Sequence, residues 1–241
     1  MHTMYRPTRL CALLVLSVPT LLACSSKPAP VAATPTTKHA QPRRESDSIS
    51  VSSEVGGLDE DAVNGVFENV QSGLMNCVRK GARRVELLGG DVAFFVGINL
   101  SGQAEDTRVE RSTLGDRETE SCMIAVLKSR SWPKPVGGRK GQVHKAFSFD
   151  MPNEARPPVE WSADDVEDTL RKLHRRADKC TGGSGTYQVT AYIDTRGSAI
   201  SVGVAPPDTS GEAKVDCLVE VVKNAKFKSP GSYPAKVSFE L

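Results

Sequence analysis

The sequence predicts an α+β protein made of two tandem small domains, each ordered α-β-β-α-β, with helices packed on one face of an antiparallel sheet. The main observation is a repeated spacing: in both parts of the chain a glycine is followed twenty residues later by a cysteine, and ten residues after that by an aromatic. Agreement of several intervals favours an internal duplication over chance. The matched residues are Gly102, Cys122 and Trp132 in the first copy, and Gly197, Cys217 and Phe227 in the second.

Each predicted domain opens with an amphipathic helix whose last apolar position is a cysteine. Apolar residues recur at steps of four, three, four and three, which is one stripe of an α-helix. The copies differ in one respect, because Cys77 lies 25 residues before Gly102 whereas Cys180 lies 17 before Gly197. The first copy therefore carries about eight extra residues around Lys80–Gly90. The stripes are Val63, Phe67, Val70, Leu74 and Cys77, and then Val166, Leu170, Leu173, Ala177 and Cys180.

Alternating apolar residues predict a β-hairpin after each of these helices. Alternation runs over Val92–Leu100 in the first copy and over Tyr187–Ile193 in the second, and Gly102 and Gly197 follow as turn residues. A second helix in the later copy is expected over about Glu212–Ala225. Closing strands are expected at Val143–Phe149 and around Val237 and Phe239, and short strands before each first helix at Ile49–Val51 and Val159–Trp161.

Helix-capping residues stand where these helices should begin. Asp59 precedes the first stripe, and Asp116 or a neighbour precedes the Cys122 helix. Ser162 and Asp165 form a Ser-x-x-Asp start for the first helix of the second copy. These positions fix the expected helix starts independently of the apolar stripes.

The first 23 residues are typical of a bacterial secretory signal. Arg6 and Arg9 precede an apolar run, Leu10–Leu22, that is too short to span a bilayer as a stable helix. The run ends in Leu21-Leu22-Ala23-Cys24, which resembles the lipobox of bacterial lipoproteins and implies lipidation of Cys24. Ser25 is not the aspartate that retains many lipoproteins in the inner membrane, so we expect an outer-membrane anchor facing the periplasm. The alternative is a plain signal peptide with a chance cysteine.

Composition divides the remaining chain into a tether and two domains. Residues 24–57 are rich in Pro, Ala, Ser and Thr, so we expect a disordered tether. The domains are expected at residues 58–151 and 159–241, joined by a linker at 152–158. The chain has 31 basic and 29 acidic residues, and loss of Arg6 and Arg9 with the signal leaves 29 of each. A chain with this balance has little long-range attraction for nucleic acid, so we expect no nucleic-acid partner.

Four cysteines remain for pairing once Cys11 leaves with the signal and Cys24 takes lipid. The duplication selects one bridge inside each copy, which an oxidising envelope compartment permits. A metal or redox site is the alternative, but the sequence has no C-x-x-C, and the histidines beyond the tether are His144 and His174. We therefore predict structural disulfides and no metal or cofactor. The expected pairs are Cys77–Cys122 and Cys180–Cys217.

A set of short motifs in the first copy resembles the TonB-like domain called the AgmX/PglI C-terminal domain. The motifs are the loop Arg111–Asp116, Cys122, the stop Trp132–Gly138, and the aromatic pair Phe147 and Phe149. The resemblance covers residues 92–150 well and 187–239 more loosely. It implies a bacterial envelope module that binds an envelope protein by adding a strand at a sheet edge.

The sequence contains no set of residues that looks catalytic. It lacks G-x-S-x-G, H-E-x-x-H, a Walker-type loop and a dinucleotide fingerprint. We therefore expect a non-enzymatic, lipid-anchored interaction protein of the periplasm or outer membrane, with no small-molecule substrate. Two alternatives stay open: a glycan-binding or hydrolytic lipoprotein with His144 or His174 in a polar cleft, and a structural spacer. The candidate binding residues are Ser112, Thr113, Leu114, Gly115, Asp116 and Trp132.

Overall fold

The computed structural model describes residues 50–52, 57–151 and 155–241, which form a mixed α+β structure. The signal peptide, Cys24, most of the tether and the start of the linker lie outside the described residues. The strands are β1 (Ser50–Ser52), β2 (Gly90–Ile98), β3 (Ala104–Ser112), β4 (Gly141–Phe149), β5 (Val159–Trp161), β6 (Gln188–Ile193), β7 (Ala199–Ala205) and β8 (Ala235–Glu240). The helices are α1 (Glu60–Ala82), α2 (Arg117–Lys128), α3 (Glu167–Thr181) and α4 (Val215–Lys223), with 3₁₀ turns at Ala163–Val166 and Thr209–Lys214.

The strands form two four-stranded sheets of equivalent order. The first sheet runs β1-β4-β2-β3 and the second runs β5-β8-β6-β7. All pairs of the first sheet are antiparallel, but β5 is parallel to β8, so the second sheet is mixed. The expectation of an antiparallel sheet was wrong for this one pair, because period-2 alternation indicates a strand without giving the direction of its neighbour.

Both expected short strands are present, and one of them lies within the range assigned to the tether. β5 has the expected bounds, while β1 lies within the range assigned to the disordered segment and pairs with Gln142–His144 of β4. A three-residue Ser-Val-Ser strand has no periodicity to detect, and its backbone is satisfied by the edge of an existing sheet. β1 therefore lies inside residues 24–57, the range assigned to the tether.

Capping side chains begin the helices as predicted. The Asp59 carboxylate accepts a hydrogen bond from the Ala62 amide at 2.7 Å, and Asp116 accepts one from the Thr119 amide at 3.1 Å. Ser162 and Asp165 form a capping box at the 3₁₀ turn that leads into α3. The helix expected over 212–225 is shorter, because its first turn is the 3₁₀ segment and α4 begins at Val215.

Two disulfides join the paired helices, and both match the predicted pairs. Cys77 of α1 is bonded to Cys122 of α2, and Cys180 of α3 to Cys217 of α4, each with Cα atoms 5.8 Å apart. The bridges close loops of 45 and 37 residues, respectively. Closure of loops of this size removes entropy from the unfolded chain, worth about 4 kcal/mol per bridge.

The hairpin turns of the two sheets are built in the same way. The Trp132 amide donates to the Gly102 carbonyl at 2.8 Å, and the Phe227 amide donates to the Gly197 carbonyl at 2.9 Å. Both glycines have positive φ, 81° and 78°, and a side chain on either would collide with the carbonyl oxygen of the aromatic residue opposite. Trp132 and Phe227 are both buried and close the core beneath each sheet.

The described α-helices have between 9 and 23 residues. None of them combines the length and the apolar character needed to cross a bilayer.

Candidate functional site: the contact and cleft between the two halves

The predicted binding loop Ser112–Asp116 lies against the second half of the chain. We call residues 57–151 the first half and 155–241 the second half. Ser112, Leu114 and Asp116 are buried, and the Gly115 backbone packs onto Thr190 and Tyr192 of β6. Thr190 also donates a hydrogen bond from its hydroxyl to the Ser112 carbonyl at 3.1 Å.

This placement corrects the expectation that the loop faces an external partner. The loop occupies the face of the second sheet that is opposite its helices, on β6 and β7. Of the candidate loop residues, Thr113 alone is exposed. A sequence motif can show that a loop is shaped for binding, but it cannot show that the bound surface belongs to the same chain.

Asp116 connects three elements at this contact. Besides capping α2, its carboxylate accepts from Arg84 at 2.5 Å and from the Ser201 hydroxyl of β7 at 2.7 Å. The Thr119 hydroxyl donates to the same carboxylate at 2.6 Å. Because these donors come from both halves, removal of Asp116 would leave several buried hydrogen-bonding groups unsatisfied at once.

The extra residues of the first half take part in the same contact. The segment after α1 buries Val85 and Leu88 in the first core. It ends at Gly89, whose carbonyl accepts from the Tyr192 hydroxyl at 3.3 Å and from the Lys236 ammonium at 2.8 Å. Burial lowers the pKa of Lys236 and raises the pKa of Tyr192, as expected for groups enclosed between two packed surfaces.

Glu120 is the most enclosed acid of this contact. Its side chain has no exposed surface, and its Oε1 accepts from the Ser112 hydroxyl at 2.6 Å. Gly203 of β7 packs directly on the carboxyl, and a side chain there would collide with it. Desolvation raises the pKa of Glu120 to about 7, against the opposing effect of the Ser112 hydrogen bond.

Arg117 extends the contact to the start of α4. Its guanidinium bonds Asp216 at 2.8 Å and Glu212 at 3.0 Å, so one cation of the first half holds two acids of the second. The Arg117 side chain is mostly buried whereas Asp216 is exposed, which places this ion pair at the rim of the contact. Rim ion pairs contribute orientation more than stability.

A cleft of about 710 Å³ opens beside this contact, between the two sheets. Its walls come from the start of β2, the ends of β3 and β4, the start of β6 and the end of β8. Polar groups in the walls include Asp91, Arg111, Gln188 and Glu240. Ser112 and Thr190 line the cleft as well, so the hydrogen bond between them is part of its floor.

Each sheet has an edge strand that pairs with only part of its neighbour, and both neighbours contribute residues to this cleft. β1 covers β4 only over Gln142–His144, and β5 covers β8 only over Ala235–Val237. Within the described residues, no strand pairs with the outer edge of the remaining parts of β4 and β8. Uncovered edge strands present unpaired N–H and C=O groups that can accept another strand. The residues of these stretches that line the cleft are Ala146, Phe147 and Ser148 of β4 and Ser238, Phe239 and Glu240 of β8.

The two histidines considered as catalytic candidates do not line this cleft. His144 accepts or donates through Nδ1 to Glu110 Oε2 at 2.8 Å and lies edge-on to Phe95. His174 is exposed on α3, away from the cleft walls. The residue pattern that would favour the hydrolytic alternative, a histidine with acids in a cleft between the halves, is therefore not formed in this cleft.

The remaining candidates have structural positions. Trp132 donates from its indole nitrogen to the Leu127 carbonyl at 3.3 Å and packs edge-on against Phe67, so it is a core residue. Across the described part of the chain, no three His, Cys, Asp or Glu side chains are grouped as metal ligands would be.

Comparison with known proteins adds no assignment. No family model, no curated protein and no solved structure matches the chain. The resemblance to the AgmX/PglI C-terminal domain therefore stays a prediction.

Sequence reasoning missed Glu120 and Gly89 as contact residues. Glu120 lies three residues before Met123 and seven before Leu127, so it belongs to the apolar stripe of α2. A charged residue on an apolar stripe is a detectable sign of a buried acid. Gly89 lies within the eight extra residues, whose presence was visible but whose role was not.

Proposed function

We propose that this protein is a non-enzymatic, lipid-anchored interaction protein of the bacterial envelope that binds an extended segment of a partner protein. The two halves serve as tandem TonB-like domains, and Cys24 anchors them to a membrane, by expectation the outer membrane. The two disulfides support an oxidising compartment, since such bonds persist outside the cytoplasm.

One observation supports the proposal: among the described residues, no strand pairs with the outer side of the ends of β4 and β8, and both ends contribute residues to a single cleft. A peptide that adds to either edge gains backbone hydrogen bonds without any catalytic group. The opposite wall then contacts its side chains, which gives selectivity that a lone sheet edge lacks. The tight packing of the halves supports this role because it fixes the distance between the two walls.

Site-specific photo-crosslinking in intact cells tests the binding site. A photoreactive residue at Ser148, which is exposed on the uncovered part of β4, should capture a protein partner. The matched control is Ser184, another exposed serine, which lies in the turn after α3 and outside the cleft lining. Equal capture from both positions, or none from Ser148, would overturn the proposal.

Hydrogen exchange with the captured partner tests the mode of binding. Strand addition should slow exchange of amides within Ala146–Phe149, because they gain hydrogen bonds. The variant Ala146→Lys places a charge on the exposed edge and should weaken binding, whereas Ala213→Lys, on the exposed 3₁₀ turn before α4, should not. Unchanged exchange in the complex would exclude strand addition at β4.

Membrane fractionation tests the anchor. Cys24→Ser should move the protein from the membrane fraction to the soluble periplasmic fraction, because the lipid on Cys24 is the proposed membrane anchor. Membrane retention of that variant would contradict lipidation at this residue.

A further inference from the structure

Glu120 has an unusual position for an acid, since both halves of the chain enclose it. Oε1 takes the hydrogen bond from Ser112, but Oε2 is buried without a hydrogen-bond partner among the described residues. On its other side lies Gly203, whose lack of a side chain lets β7 approach the carboxyl. A buried carboxylate oxygen without a donor is costly, and a proton on that oxygen removes the charge.

The charged groups around Glu120 do not compensate a negative charge on it. On its own helix, Asp116 opposes the charge and Arg117 favours it. Arg117 is already bonded to two acids of the second half, Glu212 and Asp216. Just after α1, Arg84 is paired with Asp116 rather than with Glu120.

The strands that pack against Glu120 add only uncharged groups. β3 contributes the Ser112 hydroxyl, and β7 contributes Ser201, Gly203 and the backbone of Val204. The Val204 amide favours the charged form, but burial outweighs it together with Ser112 and Arg117. The geometry therefore favours a neutral Glu120 while the halves are in contact.

We propose that Glu120 is a proton-operated latch: in its protonated form it holds β7 against α2, and release of the proton loosens the contact between the two halves. The consequence for partner binding rests on the proposed function, because the two halves form the walls of the cleft. The latch itself does not depend on any partner.

The direction of the pH effect follows from proton linkage. The pKa of Glu120 is higher when the halves are in contact. Formation of the contact therefore takes up a proton at pH values between the usual pKa of 4.5 and about 7. The contact is strongest below that window and weakens as the pH rises through about 7. A rise in the Glu120 pKa from 4.5 to about 7 corresponds to at most roughly a 300-fold change in the ratio of molecules with the halves in contact to molecules with the contact loosened.

Hydrogen exchange of β7 amides in the full chain, without partner, tests the latch. Protection at Val202 and Val204, corrected for intrinsic exchange, should fall by about ten-fold or more between about pH 5.5 and about pH 8.5. Glu120→Gln keeps the shape of the side chain but cannot titrate, so its protection should stay constant. Glu68→Gln, an exposed acid on α1, is the matched control and should behave like the wild type.

A direct titration keeps the test valid if Glu120→Gln does not fold. Heteronuclear NMR of the wild-type Glu120 carboxyl should report a midpoint near pH 7. A midpoint near the usual 4.5, or equal pH profiles for wild type and Glu120→Gln, would overturn the latch. Neither result bears on the crosslinking experiment, so failure of the latch and failure of the proposed function are distinguishable.

Discussion

The two halves share their strand order, disulfide positions and turn geometry, but they differ in the segment between the first helix and the hairpin. In the first half that segment is long, buries Val85 and Leu88, and brings the Gly89 carbonyl to the second sheet. In the second half it is a short turn around Gly182, which points into open space. The comparison shows that the contact is asymmetric: loops of the first half bind the sheet face of the second.

The equivalent sheet face of the first half is built differently. Thr190 and Gly203, which receive the first half, correspond in spacing to Phe95 and Arg108, each 95 residues earlier. The Arg108 guanidinium lies over the Phe95 ring at 4.1 Å from its centroid. A stacked pair of large side chains thus occupies the place where the second half has small ones. At these two positions the smaller residues of the second sheet leave room for the loop of the first half.

The largest expected effect tests the equivalence of the disulfides. The paired variants Cys77→Ser with Cys122→Ser, and Cys180→Ser with Cys217→Ser, should each lower the free energy of unfolding by about 4 kcal/mol, because their loops are similar in length. Denaturant unfolding should show one transition in both cases, since the halves are packed together. A loss confined to one variant, or two separate transitions, would break the comparison.

The next effect tests the matched turns. Gly102→Ala and Gly197→Ala should each cost about 2–4 kcal/mol, because both need positive φ and both place a methyl group against a backbone carbonyl. Gly65→Ala is the control, since its helical site has free space and alanine favours a helix. Thermal unfolding measures all three, and unequal losses at the two turns would show that their environments differ.

A smaller effect isolates the contact between the halves. Gly115 and Gly182 have the same φ of 70°, but a side chain at Gly115 would lie 2.9 Å from Thr190 and 3.1 Å from Tyr192, whereas Gly182 has free space. Alanine should cost about 1 kcal/mol from backbone strain at either site, and about 1–2 kcal/mol more at Gly115. Equal losses in urea unfolding would mean that the loop does not pack as described.

The smallest effect concerns acid sensitivity of the two hairpin turns. Asp194 accepts from the amides of Arg196 and Ser198, and these bonds, chiefly that of Ser198, lower its pKa below the usual 3.8. This contribution is present above pH 3.8 and is lost as the pH falls through the lowered value. In the first half Asn99 makes the equivalent bonds and does not titrate.

Amide chemical shifts in an acid titration measure this difference. The Arg196 and Ser198 signals should move at low pH while those of Ser101 and Gln103 stay constant. Asp194→Asn should make the second turn as insensitive as the first. Simultaneous shifts in both turns would indicate general unfolding in place of local titration.

Much of the fold could be predicted because it depends on local pattern. The stripes ending at Cys77 and Cys180 gave the first helices, and the repeat gave the disulfide pairs. The capping roles of Asp59 and Asp116 were also visible, because a cap lies next to its helix in sequence.

The candidate site could not be predicted in the same way, because it depends on contacts between residues far apart in the chain. The Ser201 hydroxyl reaches Asp116 across 85 residues, and the Tyr192 hydroxyl reaches Gly89 across 103. No periodicity records such pairs. The direction of β5 relative to β8 is likewise a property of tertiary packing.

The disulfides also determine what happens to the protein when a protease cuts its backbone. Cys77–Cys122 closes a covalent ring that contains Gly89, the Ser112–Asp116 loop and Glu120. The ring closed by Cys180–Cys217 contains the residues of β6 and β7 that meet them. A single proteolytic cut inside either ring leaves both fragments joined by the disulfide, so the cleaved molecule keeps both surfaces of the contact together.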